Sequence, residues 1–162
     1  MKVISKINKA MAKAEGAIMV FWFAIVLIVM TCQVISRYIF NAPIAWSEEF
    51  ARYSFVWISY IGCAYCVSVD AHTGITAFRD ALPPKAKKLT TVLGNVVVMI
   101  VFIRLLPIAM KFIGKNSKFL TSMMRIPFKY LYYSLPVGCV LTVVHLILKS
   151  ILLFAPDTIE KA

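Results

Sequence analysis

Arg37-Tyr38-Ile39-Phe40-Asn41-Ala42-Pro43-Ile44-Ala45-Trp46-Ser47-Glu48-Glu49-Phe50-Ala51-Arg52-Tyr53 separates two long apolar runs and holds four charges: Arg37, Glu48, Glu49 and Arg52. Charges at the edge of an apolar span need water, a cavity or a partner of opposite sign. Asn41-Ala42-Pro43 is a turn signal, because proline disfavours helix at the residue before it. Ser47 then reads as the N-cap of a second helix, with Glu48 and Glu49 in a first turn where acids complement the helix dipole. Glu48 and Arg52 are four apart with the acid first, and Glu49 and Arg52 are three apart, so either pair can close on one helix face. Arg37 can reach either acid across the turn. The cluster reads as internal ion pairing that fixes a helical hairpin, or as a docking site for another membrane subunit. The two roles are compatible.

Away from this turn the chain is apolar almost throughout. Of its 162 residues 61% are hydrophobic, more than a soluble domain of that size can bury. Four segments near the ~20 residues that cross a bilayer are predicted, at about 16–36, 47–69, 89–113 and 130–154. The expected fold is an all-α membrane protein: one domain over residues 1–162 with four transmembrane helices and an N-terminal amphipathic interfacial helix over 1–15. In that first segment Lys2, Lys6, Lys9 and Lys13 recur at helical spacing, with Val3, Ile4, Ile7 and Met11 on the other side. Such a helix suits the surface of an anionic leaflet; a frayed basic tail that only sets topology is the plainer reading. No cleavable signal peptide is expected, since the first apolar run is long enough to span and lacks a small-residue cleavage site.

The second predicted helix carries Trp46, Phe50, Tyr53, Trp57 and Tyr60 at helical spacing, a stripe suited to lipid or to another chain. Gly62, Ala64 and Cys66 form a small-residue patch that permits close helix approach. Pro107 is expected to kink the third span. Arg104, about two turns before Lys111, is placed to snorkel to the interface or to meet a partner or headgroup. The segment Lys111–Lys129 mixes basic and apolar side chains and is expected to be partly helical and interfacial. Cys63 and Cys66 form a Cys-X-X-Cys, but inside a membrane helix they read as small apolar residues. No disulfide framework is indicated by Cys32, Cys63, Cys66 and Cys139.

The formal charge of +11 does not point to nucleic acid, because the lysines and arginines lie between and beside apolar spans rather than on a solvated domain. That pattern fits topology signals and membrane phospholipid. Four spans put both termini on one side. The positive-inside rule favours the cytoplasm for them by a thin margin: ten Lys and Arg fall on that side and eight on the other, counting Arg104 with the eight. No P-loop, hydrolase or kinase motif occurs, and no metal-ligand spacing, so catalytic, substrate-binding and metal residues are expected to be none. A haem-bearing anchor of a respiratory enzyme is the alternative raised by the two histidines. Axial ligands must match in depth, whereas His72 lies beyond the second span and His145 about 13 Å inside the fourth. A small exporter would need polar residues at mid-span, and only Gln33, Asn95 and Thr142 are scattered there.

The pieces Arg37-Tyr38, Phe40-Asn41, Pro43, Trp46-Ser47-Glu48-Glu49, Ala51-Arg52, Trp57 and Gly62, followed by His72, resemble the small membrane subunit of tripartite ATP-independent periplasmic (TRAP) transporters. Size and four-span layout extend the likeness over nearly the whole chain. The resemblance implies a multi-pass protein of the bacterial inner membrane with both termini cytoplasmic. Its partners would be a large membrane subunit, which carries the substrate and sodium sites and moves in an elevator-like way, and a periplasmic substrate-binding protein. No cofactor is expected in this chain; sodium belongs to the large partner. The small subunit would brace the large one, through an interface expected at Arg37, Trp46, Glu48, Glu49, Arg52, Tyr53 and Trp57. Lys115, Lys118 and Arg125, on a loop that would face the periplasm, are expected to touch lipid headgroups or the binding protein. Sialic acid or a C4-dicarboxylate is the expected cargo.

Overall fold

A computed structural model describes residues 2–69 and 84–153. It contains α1 (Lys2–Ile39), α2 (Ser47–Ser68), α3 (Pro84–Asn116), α4 (Lys129–Tyr132) and α5 (Ser134–Leu153). His72, Arg79, Asp80 and the tail after Leu153 lie outside the described residues.

Among the described residues, three stretches are long and apolar enough to cross a membrane: Val3–Ile39, Thr90–Asn116 and Lys129–Leu152. They contain the expected first and third spans and most of the fourth. The expected second span coincides with a helix, α2, whose 22 residues give about 33 Å, but α2 is not among the three stretches apolar enough to cross. Its charged first turn and its serines and tyrosines make it less apolar than the other three. α2 packs chiefly against α5 and α1, and α3 packs against α5. Large apolar side chains point outward all round, among them Val20, Phe21 and Val97 at 72%, 66% and 58% exposure. In water such a surface is unfavourable; against lipid or another membrane protein it is the normal exterior.

The helices run up, down, up and down. The start of α1 and the end of α5 share one end of the bundle, because Asn8 and Glu15 both reach His145. The end of α2 is there too, where Lys149 Nζ donates to the Val67 carbonyl at 2.6 Å. The turn 40–46 and the loop 117–128 form the opposite end.

Two local expectations change. Residues 2–15 are not a separate helix: α1 is continuous for 38 residues. Its inward face there is Asn8, Ala12 and Glu15, all buried, whereas Val3 and Ile7 remain open. The polar pair docks on α5, which holds these first turns in line with the span. Ser47 does not cap α2 through its side chain. Its hydroxyl instead donates back to the Ile44 carbonyl at 2.7 Å, from a fully buried position. Pro107 lies inside α3, which runs on through it to Asn116.

Candidate functional site

The turn 40–46 is held by polar groups of the last turns of α1. Gln33, buried near the end of an otherwise apolar run, accepts the Ile44 N–H on Oε1 at 2.6 Å. The Ser36 carbonyl accepts the N–H groups of Phe40 and Ala42 at 3.2 and 3.1 Å. Asn41 takes the left-handed conformation, φ 48°, which asparagine tolerates better than most residues. This turn aims α2 back along α1 and presents its first turn at the end of the bundle.

There the four expected charges part company. Glu49 turns inward. Its Oε1 accepts the Tyr53 hydroxyl at 2.8 Å and the Ser122 N–H at 3.1 Å, and its Oε2 accepts the N–H groups of Met123 and Met124 at 3.0 and 2.7 Å. Three consecutive backbone donors on one carboxylate form an anion-binding turn, closed here by a side chain of the same chain. The loop folds back on itself to offer them. Phe128 N–H donates to Phe119 O, Thr121 N–H to Ile126 O, and Ile126 N–H to Thr121 Oγ1. Arg125 supplies the reversal at φ 51°.

Arg37, Glu48 and Arg52 point outward and are exposed. Arg37 lies 6.0 Å from the Tyr38 ring centroid. The internal pairing of Arg37 or Arg52 with Glu48 or Glu49 does not form: among the described residues the recorded ion pair is that of His145 and Glu15. The reason is that Glu49 is saturated by four donors from the loop and Tyr53, which leaves the three neighbouring charges to the outside. The expected interface thus divides. Arg37, Trp46, Glu48 and Arg52 stay available on the outer rim, while Glu49 and Tyr53 are committed to the fold.

Tyr53 stands edge-on to Phe128 at 6.1 Å, and Trp46 stands edge-on to Phe50 at 6.1 Å. Trp57 lines two apolar hollows that Trp22 also lines. One, of about 230 Å³, opens between α1, α2 and the loop near Phe50, Met124 and Phe128. The other, of about 310 Å³, lies between α1 and α2 near Ile18 and Ile61. Lys115, Lys118 and Arg125 are exposed at the same end of the bundle as the Glu49 loop.

A second polar node was not anticipated. His145 is fully buried, with Nδ1 2.6 Å from Asn8 Oδ1 and Nε2 3.0 Å from Glu15 Oε1. Both ring nitrogens are therefore engaged by α1, and His145 acts in helix packing rather than as a free axial ligand. Asn8 and Glu15, seven apart and so on one helix face, were the available signal. It was obscured because the predicted first span began one residue after Glu15. The four cysteines are free.

The family model described as "Tripartite ATP-independent periplasmic transporters, DctQ component" matches residues 16–155. Among curated relatives, the sialic acid TRAP transporter small permease protein SiaQ of Vibrio cholerae is 31% identical over 140 residues, covering 86% of this chain and 81% of its own. The sialic acid TRAP transporter permease protein SiaT of Haemophilus influenzae is 25% identical over 141 residues; the match covers 87% of this chain but only 22% of SiaT. The C4-dicarboxylate TRAP transporter small permease protein DctQ of Vibrio cholerae is 25% identical over 85 residues, 52% of this chain and 37% of its own.

Proposed function

This chain belongs to the DctQ-component family of tripartite ATP-independent periplasmic transporters, and on that premise we propose that it is the small permease subunit of a binding-protein-dependent, sodium-coupled importer of an organic acid. Sialic acid is the first candidate cargo and a C4-dicarboxylate the second, after the names of the relatives. The observation that carries the reading is the family match over residues 16–155, which spans the whole described bundle from the start of the apolar part of α1 to the end of α5.

The role proposed is bracing. The Glu49 clasp and the His145 node tie together a bundle whose outer faces on α1 and α3 are apolar apart from Arg104. A surface of that kind suits a fixed scaffold beside a moving subunit. The relative of which the matched part is 22% supports the same picture, since there the small-subunit portion is continuous with a much longer chain. Substrate and sodium sites are assigned to the large subunit. α2 is taken as the fourth span, so both termini share one side of the inner membrane, and the charge balance assigns that side to the cytoplasm. Lys115, Lys118 and Arg125 then face the periplasm, where they meet phospholipid headgroups or the substrate-binding protein.

Uptake of labelled sialic acid and labelled C4-dicarboxylate by cells lacking this chain tests the proposal. Loss of uptake of one cargo, restored by the chain and not by the Arg37→Glu variant, is expected. Full uptake of both without the chain would refute it.

A further inference from the structure

Arg104 lies within the apolar run of α3, fourteen residues after Thr90 and seven before Lys111. The side chain is exposed. Leu93, Val97, Ile100 and Ile108 share its face, being 11, 7 and 4 residues before it and 4 after it, and each is more than half exposed. The opposite side of α3 meets the bundle, where Ala109 and Ile113 are buried. α3 touches α4 and α5 and, among the described residues, neither α1 nor α2. Arg104 therefore stands on the open face of an edge helix, with three members of an apolar stripe before it and one, Ile108, after it. Among the described residues it makes no hydrogen bond or ion pair.

An arginine cannot escape the cost of an apolar setting by losing its proton. It must find an acceptor. A lipid phosphate is poorly placed to serve. Lys111, the next cation toward the nearer end, is seven residues on, about 10 Å of helix rise. Side chains on a helix lean toward its N-terminus, so the Arg104 stem leans away from that end. Toward the other end Lys88 is sixteen residues back, about 24 Å. An acceptor beside Arg104, within the membrane and on another protein, meets the need most directly. A guanidinium is matched best by a carboxylate, which it holds through two parallel hydrogen bonds.

We infer that Arg104 is a docking residue that pairs with a carboxylate on a membrane helix of the large subunit, with Leu93, Val97, Ile100 and Ile108 packed around the pair and excluding lipid. This rests on the reading of the chain as a small permease subunit. It extends the interface expected at Arg37, Trp46, Glu48, Glu49, Arg52, Tyr53 and Trp57 to the face of α3, and commits Arg104 to a protein carboxylate.

The test uses the whole transporter, with this chain tagged and purified in mild detergent beside its large subunit. Arg104→Leu is the informative variant, because it makes α3 more apolar and so favours insertion; the chain itself accumulates at least to the wild-type level. Truncating one partner of a desolvated charge pair weakens an interface strongly, so recovery of the large subunit falls about tenfold or more. Arg104→Gln gives the same fall, and Arg104→Lys, which keeps the charge without the fork, gives an intermediate one. Equal recovery with Arg104→Leu and wild type overturns the inference and leaves the small-subunit reading standing. So does unchanged recovery with loss of bound phospholipid in native mass spectrometry, which assigns Arg104 to a headgroup. A wild-type chain that brings down no large subunit overturns both.

Discussion

Glu49 shows how one side chain can be legible as a type and illegible as a contact. Its position in the first turn of α2 follows from the turn signal at Asn41–Pro43 and from the dipole preference of acids. Its partners do not, because they come from a loop more than seventy residues further on, and no local spacing encodes that. The carboxylate faces four donors and no acceptor, a set that a carboxamide cannot satisfy. Glu49→Gln would turn an NH₂ toward backbone N–H groups. In that variant the amides of Ser122, Met123 and Met124 are expected to exchange with deuterium several-fold faster than in the wild type, while those in the middle of α2 keep their rates. Unchanged exchange at the three amides would show that the loop holds itself. Arg37, Glu48 and Arg52, by contrast, were read as partly self-paired and are instead presented outward, which strengthens their candidacy for an external partner.

At the scale of elements, helix packing here depends on two features of different kinds. The first is close approach. A Cβ added at Gly138 would lie 2.8 Å from Tyr60 Cβ and 3.0 Å from the Tyr60 carbonyl oxygen, so α5 meets α2 at its backbone. Gly138→Ala is expected to lower stability by about 1–3 kcal/mol through overpacking, seen as a lower thermal midpoint in detergent; an unchanged midpoint would contradict that contact. Of the small-residue patch expected on α2, Ala64 is fully buried, while Gly62 and Cys66 are only partly buried. The tightest point, however, lies on the other helix, and a lone glycine in an apolar run does not announce it. The second feature is the buried polar node of Asn8, Glu15 and His145. Breaking a buried pair from one side typically costs about 3–5 kcal/mol, whereas replacing both partners by apolar groups costs less. Glu15→Leu and His145→Leu are therefore each expected to destabilise more than the double variant does relative to either single change. Strictly additive midpoints would show that the two side chains do not act as a pair. The node also explains why α1 is unbroken. Spacing suggested a basic amphipathic segment lying on the membrane surface, but the face that matters is the polar one, which packs on α5.

For the whole molecule, the all-helical character, the four long helices and the shared end of α1 and α5 were all accessible from hydropathy and turn signals, since they follow from segment lengths and the number of reversals. α2 was the least apolar of the expected spans, and its helix is built around Glu49, aromatic rings and serines rather than a continuous apolar surface. That is consistent with a helix held between α1 and α5 and touching lipid less than they do. Membership of the transporter family could be reached from Arg37-Tyr38, Phe40-Asn41 and Trp46-Ser47-Glu48-Glu49. The exposed face of α3 with Arg104 could not be oriented from sequence alone, because which side of an apolar helix packs inward is set by its neighbours.

The central claim is that this bundle is a brace for a larger membrane subunit. The most direct measurement is purification of the tagged chain from its native membrane in mild detergent, with mass spectrometry of what accompanies it. A much larger polytopic membrane protein in fixed stoichiometry is the expected result. A chain that emerges alone, or with a soluble redox subunit and haem, would contradict the account.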